Sequence, residues 1–226
     1  MQDLPGMIER RTTADAVFEH LHKEITSLAL PPGTKLSELE VARRFEVSRQ
    51  PVREAFSRLS NLELVLVRPQ KATVVRGFSR ERVAQSRFVR LAVELEAVQQ
   101  ACNSWTPGKA KTLQKNLDEQ RDALSSHPER FHELDSQFHT LICELGGCPR
   151  AISAIAECRQ KIDHLCSLSL ARKSEAEALY EDHLELAQAL KDKSHEKATA
   201  IARLHLSRLD SVIEQVHQSH TEYFEE

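Results

Sequence analysis

Glycine is scarce in this chain, with six among 226 residues. Neither G-x-G-x-x-G nor G-x-x-x-x-G-K-[ST] occurs, which excludes the loops that cradle dinucleotides and nucleoside triphosphates. So few turn glycines also argue against an all-β chain. Aromatic residues are only 5%, too few for a base-stacking RNA platform. No apolar run approaches the roughly 18 residues of a membrane helix. Met1 to Arg11 is polar and lacks the core of a signal peptide. The cysteines, Cys102, Cys143, Cys148, Cys158 and Cys166, are odd in number and form no Cys-x-x-Cys pair. They read as reduced thiols of a cytoplasmic protein with no membrane partner.

What remains is an ordinary globular composition, 40% hydrophobic and 29% charged, at a length that allows one or two domains. The net charge of −3 is unevenly spread. Residues 1–78 hold 12 Lys+Arg against 10 Asp+Glu, and residues 79–226 hold 19 against 24. Within the first region, 43–76 carries eight basic residues and three acidic ones. A basic block in an acidic chain suggests a surface that faces a polyanion, although a solvated helix face gives the same count.

The first region reads as three helices and a hairpin. Val17, Leu21, Ile25 and Leu28 recur at helical spacing over 13–29, and Pro31-Pro32-Gly33 stops that helix. Ser37 to Glu40 fits a capping box, so a short second helix begins there, with Leu39, Ala42 and Phe45 expected inward. Ser48 is placed to cap a third helix whose buried stripe is Val52, Ala55, Phe56 and Leu59. Pro51 is tolerated in its first turn, where amides lack helical acceptors. Arg49, Gln50 and Arg53 lie on the opposite face. A short second helix, a turn and a third helix with a basic N-terminal end form a helix-turn-helix, which enters the major groove by that end. The guanidinium fork of arginine suits a phosphate or the O6/N7 edge of guanine, and Ser48 with the first-turn amides suits a phosphate oxygen. Leu64 to Arg68 and Thr73 to Arg76 read as strands of a wing, with Lys71 at its tip.

Residues 31–59, PPGTKLSELEVARRFEVSRQPVREAFSRL, resemble the winged helix-turn-helix of the GntR family of bacterial transcription regulators. The resemblance implies operator contacts from Ser48, Arg49, Gln50 and Arg53, with Pro51 in the recognition turn. Three positions depart from the family pattern. Glu46 stands where glycine is common, Leu39 where some members carry a DNA-touching arginine, and Gln70-Lys71-Ala72 lacks the usual wing-tip glycine.

From Ser79 onward the period is helical almost throughout, with segments at about 80–103, 108–125, 128–145, 149–170, 174–191 and 194–219. Short connections imply an antiparallel bundle. The expected fold is therefore mostly α, with a winged helix-turn-helix over 1–78 and an all-helical domain over 79–226. Nine of the eleven histidines lie in the bundle. Asp135 and His139 share one helix face one turn apart, and His183 and His205 lie on the last two helices. Facing helices can gather these four around an ion. Imidazoles with one carboxylate suit Zn²⁺ first, and also Ni²⁺, Fe²⁺ or Mn²⁺. His132 and His164 compete for the same role.

Residues from about 80 to 215 resemble the FCD ligand-binding domain of the FadR branch of that family, on D-S-Q-F-H (Asp135 to His139), E-D-H-L-E-L-A-Q-A-L (His183) and A-R-L-H-L (His205). The resemblance implies a metal site of Asp135, His139, His183 and His205. It also implies a small organic-acid effector assisted by Arg90, in a homodimer that reads a palindromic operator, most often as a repressor. Salt bridging to Glu94 is the competing reading of Arg90. Two alternatives remain open: a regulator for which the ion itself is the signal, and a metal-dependent bundle enzyme. The Glu-x-x-His pairs a di-iron bundle needs, Glu19/His22 and Glu129/His132, fall in different domains. Glu181, Asp182 and Glu185 are the available general bases near a metal-bound water.

Overall fold

A computed structural model describes residues 12–68, 71–160 and 173–225. Met1 to Arg11, Pro69 and Gln70 of the wing tip, His164, Cys166 and the end of the helix expected over 149–170 lie outside these residues. Contacts divide the chain between Gly77 and Phe78 into two compact units.

In the first unit, α1 spans Thr13–Thr26 and buries Ala14, Val17, Leu21 and Ile25. Its start is a reciprocal cap, in which Thr12 Oγ1 accepts from the Asp15 amide and Asp15 accepts from the Thr12 amide. Leu28, expected on the buried stripe, instead lies past the helix at φ 59°. Ser27 has already ended the helix and the chain is turning there. Strand β1 (Lys35–Leu36) was too short to show a period. Helix α2 covers Glu38–Arg44 and buries Val41 and Ala42. Leu39 is 46% exposed rather than inward. At about 100° per residue, Phe45 falls between Val41 and Ala42 on the helix circumference, and Leu39 lies outside that arc. Glu46 turns the chain in the left-handed region at φ 54°. Helix α3, Arg49–Asn61, buries the expected Val52, Ala55, Phe56 and Leu59. Strands β2 (Val65–Leu66) and β3 (Thr73–Val75) complete an antiparallel sheet of order β1-β3-β2, in which Lys35 faces Val74 and Val65 faces Val75. One apolar core joins the helices to this wing.

The second unit is a bundle of α4 (Arg80–Asn103), α5 (Pro107–Ser126), α6 (Pro128–Leu145), α7 (Pro149–Gln160), α8 (Lys173–Lys191) and α9 (His195–Ser219), with a 3₁₀ turn at Thr221–Tyr223. Proline opens α5 and α6, where the missing N–H has no helical acceptor to lose. Phe131, Phe138, Leu113, Leu117 and Leu190 are fully buried at its centre. Gly146 ends α6 against α4, where a Cβ would fall 2.8 Å from the Ala97 carbonyl oxygen. Among the described residues no helix is long and apolar enough to cross a membrane.

Candidate metal centre and nucleic-acid interface

Asp135 and His139 stand one turn apart on α6, His183 lies on α8 and His205 on α9. Each side chain is buried, and one ligand atom from each falls within 4.8 Å of the others. His205 Nε2 lies 3.1 Å from His139 Nε2 and 3.4 Å from His183 Nε2. Asp135 Oδ1 lies 3.7, 3.5 and 4.0 Å from the Nε2 atoms of His139, His183 and His205. Two ligand atoms at about 2.1 Å from one ion stand about 3.0 Å apart at a right angle and about 3.4 Å apart at the tetrahedral angle. The donor set therefore has the spacing of ligands on a common divalent ion.

The other ring nitrogens explain why these atoms face inward. His183 Nδ1 donates to Gln120 Oε1 at 2.8 Å. Gln120 Nε2 donates to Asn116 Oδ1, and Asn116 Nδ2 to the Leu134 carbonyl. The backbone carbonyl at the end of this chain fixes both amide orientations, and hence His183 Nδ1 as the protonated nitrogen. His139 Nδ1 meets Glu94 Oε2 at 2.5 Å, and His205 Nδ1 stands 3.4 Å from Asp182 Oδ2. Where Nδ1 carries the ring proton, as on His183, Nε2 presents its lone pair toward the Asp135 carboxylate and the other Nε2 atoms. Facing acceptors repel one another unless a proton or a metal ion lies between them, and Nδ1 partners such as Glu94 and Gln120 are typical of histidine metal ligands.

The electrostatics favour the neutral form at two of the three rings and the protonated form at the third. Burial pushes His183 well below its ordinary value, and His205 beside it adds to that. Burial also lowers His205. Both rings are thus neutral and able to bind metal. For His139 burial works downward too, but the carboxylates of Glu94 and Asp135 outweigh it and raise the ring. Burial opposes the charge of Asp135, yet Arg159, bonded to it at 2.7 Å, and the neighbouring imidazoles hold its carboxyl well below the usual range.

A cavity of about 310 Å³ opens onto this cluster. Asp135 and His205 form part of its wall, with Arg90, Arg159, Arg208 and the apolar Leu179 and Leu209. That volume is within the range of small-molecule sites. Arg90 is 9% exposed and donates to Glu94 at 2.5 Å, so its salt bridge is buried, and the same side chain faces the cavity. Arg208 pairs with both oxygens of Asp182. His132 lines the cavity but is not one of the four clustered residues.

In the first unit the N-terminal end of α3 is open to solvent. Ser48, Arg49, Gln50 and Lys71 are exposed and Pro51 is half-buried. Ser48 takes the N-cap position without a side-chain cap bond, so its hydroxyl is not spent on the helix. Arg49 Nη2 and Arg53 Nε both donate to Glu38 Oε2, at 2.8 and 3.0 Å.

Sequence reasoning singled out the four converging residues but not the partners that orient them. Glu94, Gln120, Asp182 and Arg159 come from α4, α5, α8 and α7, and no spacing along the chain connects them. Glu94 gave a signal by standing four residues after Arg90 on one helix, and Asp182 stood out only as a candidate general base, not as the partner of His205.

Residues 13–75 match the family described as bacterial regulatory proteins, gntR family, and residues 86–208 match the FCD domain. The chain is 32% identical over 211 residues to the HTH-type transcriptional repressor RspR of Escherichia coli (strain K12), across 93% of this chain and 92% of that protein. It is 23% identical to the Nta operon transcriptional regulator of Aminobacter aminovorans, across 85% of this chain and 91% of that one. The solved structure of E. coli McbR/YncC shares the fold with a TM-score of 0.72 at 22% identity, covering 91% of this chain and 99% of that one.

Proposed function

The chain belongs to the gntR family of bacterial regulatory proteins and carries an FCD domain after its DNA-binding unit; on that footing we propose that it binds a palindromic operator as a homodimer and answers to a small organic acid held beside a divalent metal ion. That it is a DNA-binding transcription regulator and not an enzyme follows from both families and from its relatives. The effector, the ion and the residue roles are the reading argued below.

The observation that carries this reading is the convergence of four buried metal-ligating side chains, two of which, Asp135 and His205, reach the wall of an arginine-lined cavity. Asp135, His139, His183 and His205 would hold the ion, with zinc the first expectation and nickel, iron or manganese also suited. A bound ion supplies positive charge and the open coordination positions that a carboxylate can fill. The side chains around it favour an anion for a further reason. Glu94, Asp135 and Asp182 are each paired with an arginine: Arg90, Arg159 and Arg208. These three pairs balance among themselves, and Glu175 on the same wall offsets only part of a divalent cation's charge, so the remainder is left for an anionic ligand to meet. Leu179 and Leu209 offer its carbon skeleton an apolar wall.

At the other end of the mechanism, Ser48 and the first amides of α3 would take phosphate oxygens. Arg49, Gln50 and Arg53 would face base edges, Pro51 would fix the recognition turn, and Lys71 would reach a neighbouring groove. Phosphate contacts supply salt-dependent affinity common to all sequences. The effector alters DNA affinity only by binding two conformations of the protein unequally.

Titration calorimetry of organic acids against metal-loaded and chelator-treated protein tests the reading. Heat of binding is expected in the loaded form alone. Binding that persists after metal removal would overturn the ion's role, and a response of DNA affinity to metal with no acid present would identify the ion as the signal.

A further inference from the structure

The feature that the operator-binding role leaves unused is Glu38. It sits at the first position of α2, where the helix N-terminus favours a carboxylate. A single oxygen of it accepts from both Arg49 and Arg53, residues one turn apart on α3. The arginine side chains are each 55% exposed and Glu38 is 28% exposed. Partial burial works against the Glu38 charge, yet the two guanidiniums hold its carboxyl below the ordinary range. The bond to Arg53 uses Nε, on the side of the guanidinium. Among the described residues the Nη1/Nη2 edge of Arg53 has no intramolecular partner, and that edge is the fork that fits guanine O6 and N7.

We infer that Glu38 is a positioning residue for operator specificity: it bridges Arg49 and Arg53, presents the free fork of Arg53 to a base edge, and disfavours duplexes that offer only phosphates. The inference rests on the operator-contact roles proposed above for these arginines. A guanidinium free to swing will reach any phosphate nearby and add affinity without sequence preference. Tethered to Glu38, both arginines lose that freedom, and the carboxylate itself repels phosphate. A duplex with the right acceptors meets the fork of Arg53 as it is held. A wrong duplex gains the arginine only by breaking the bridge. Specificity then comes from weakened binding to the wrong partner as much as from contact with the right one.

The test begins with selection of preferred duplexes from a random pool by the full chain. Dissociation constants follow for the selected duplex and a scrambled one, with wild type, Glu38→Gln, Glu38→Asp and Arg53→Ala. Glu38→Gln is expected to tighten scrambled binding and to lower the ratio of the two constants by about fivefold or more, the lower end of one good bidentate contact, with an unchanged melting temperature. Glu38→Asp keeps the charge but is one methylene too short to bridge. It is expected to restore weak scrambled binding without restoring base preference. A Gln variant with the wild-type ratio overturns the inference, as does an Asp variant that restores both properties. If Arg53→Ala leaves the preference intact, the recognition-helix reading fails and Glu38 with it. If Arg53→Ala abolishes the preference while Glu38→Gln keeps it, only the role of Glu38 is lost.

Discussion

Gln120, fully buried on α5, accepts a hydrogen bond from His183 Nδ1 at 2.8 Å while its own amide donates to Asn116. An uncharged side chain on another helix thus decides which nitrogen of His183 faces the other clustered ligand atoms. Replacing it with leucine, of similar size, should leave the helix intact and free the imidazole to turn. Metal affinity is expected to fall by about 10–100-fold, the usual effect of losing such a partner, as measured by competition with a chelator. An unchanged affinity would show that packing alone orients the ring.

The ligand set itself can be tested through stability. A divalent ion at about 1,000 times its dissociation constant adds about 4 kcal/mol to the folded state when the unfolded chain does not bind it. Chelator-treated protein should therefore melt at a clearly lower temperature than protein supplied with Zn²⁺. The His183→Ala/His205→Ala double variant should melt at one temperature in both conditions, and its metal content should be lost.

Glu46 offers a stabilising change. Its φ of 54° places an exposed, Cβ-bearing residue in the left-handed region, in the turn between α2 and α3. Glycine removes a strain of about 1–2 kcal/mol there and returns up to about 1 kcal/mol through the freer unfolded chain. Glu46→Gly should thus raise stability in urea denaturation by up to about 1 kcal/mol.

Gly146→Ala should do the opposite. The added methyl would meet the Ala97 carbonyl oxygen at 2.8 Å and the Ala101 nitrogen at 3.3 Å, both backbone atoms that cannot rotate away. Parting α4 from the end of α6 is expected to cost about 1–3 kcal/mol in the same assay.

Asp15 carries a pH dependence. The Thr12 amide and hydroxyl, followed by Arg58, lower its carboxyl to about 2 from an ordinary 3.8. Because the folded value is the lower one, its stabilisation is complete above the unfolded value and disappears as pH falls through the folded one. Asp15→Asn should therefore lower the melting temperature at pH 7, and the gap from wild type should close between about pH 4 and pH 2.

The cluster of Asp135, His139, His183 and His205 was legible partly from helical spacing and partly from the resemblance to the FCD domain. Asp135 and His139 announce themselves by a spacing of four, whereas His183 and His205 stand out from the other histidines through the segments that resemble the FCD domain. Their partners were not readable, because Gln120 meets His183 only once α5 packs on α8, and a buried glutamine looks like any other glutamine along a chain. The start of α3 at Ser48 and its buried stripe were readable from the sequence. The Glu38 bridge was not, since it depends on the angle at which α2 crosses α3. Leu39 and Leu28 misled for one reason: apolar periodicity cannot say where a short helix stops or which arc of it a neighbour covers.

Each of the six helices α4 to α9 sends at least one polar side chain to the same point: Glu94, Gln120, Asp135 with His139, Arg159, Asp182 with His183, and His205. An ion or ligand held at that point would therefore touch side chains from every one of these helices at once. Were the proposed effector to bind there, it would bear on the packing of the second unit without a relay of intervening residues.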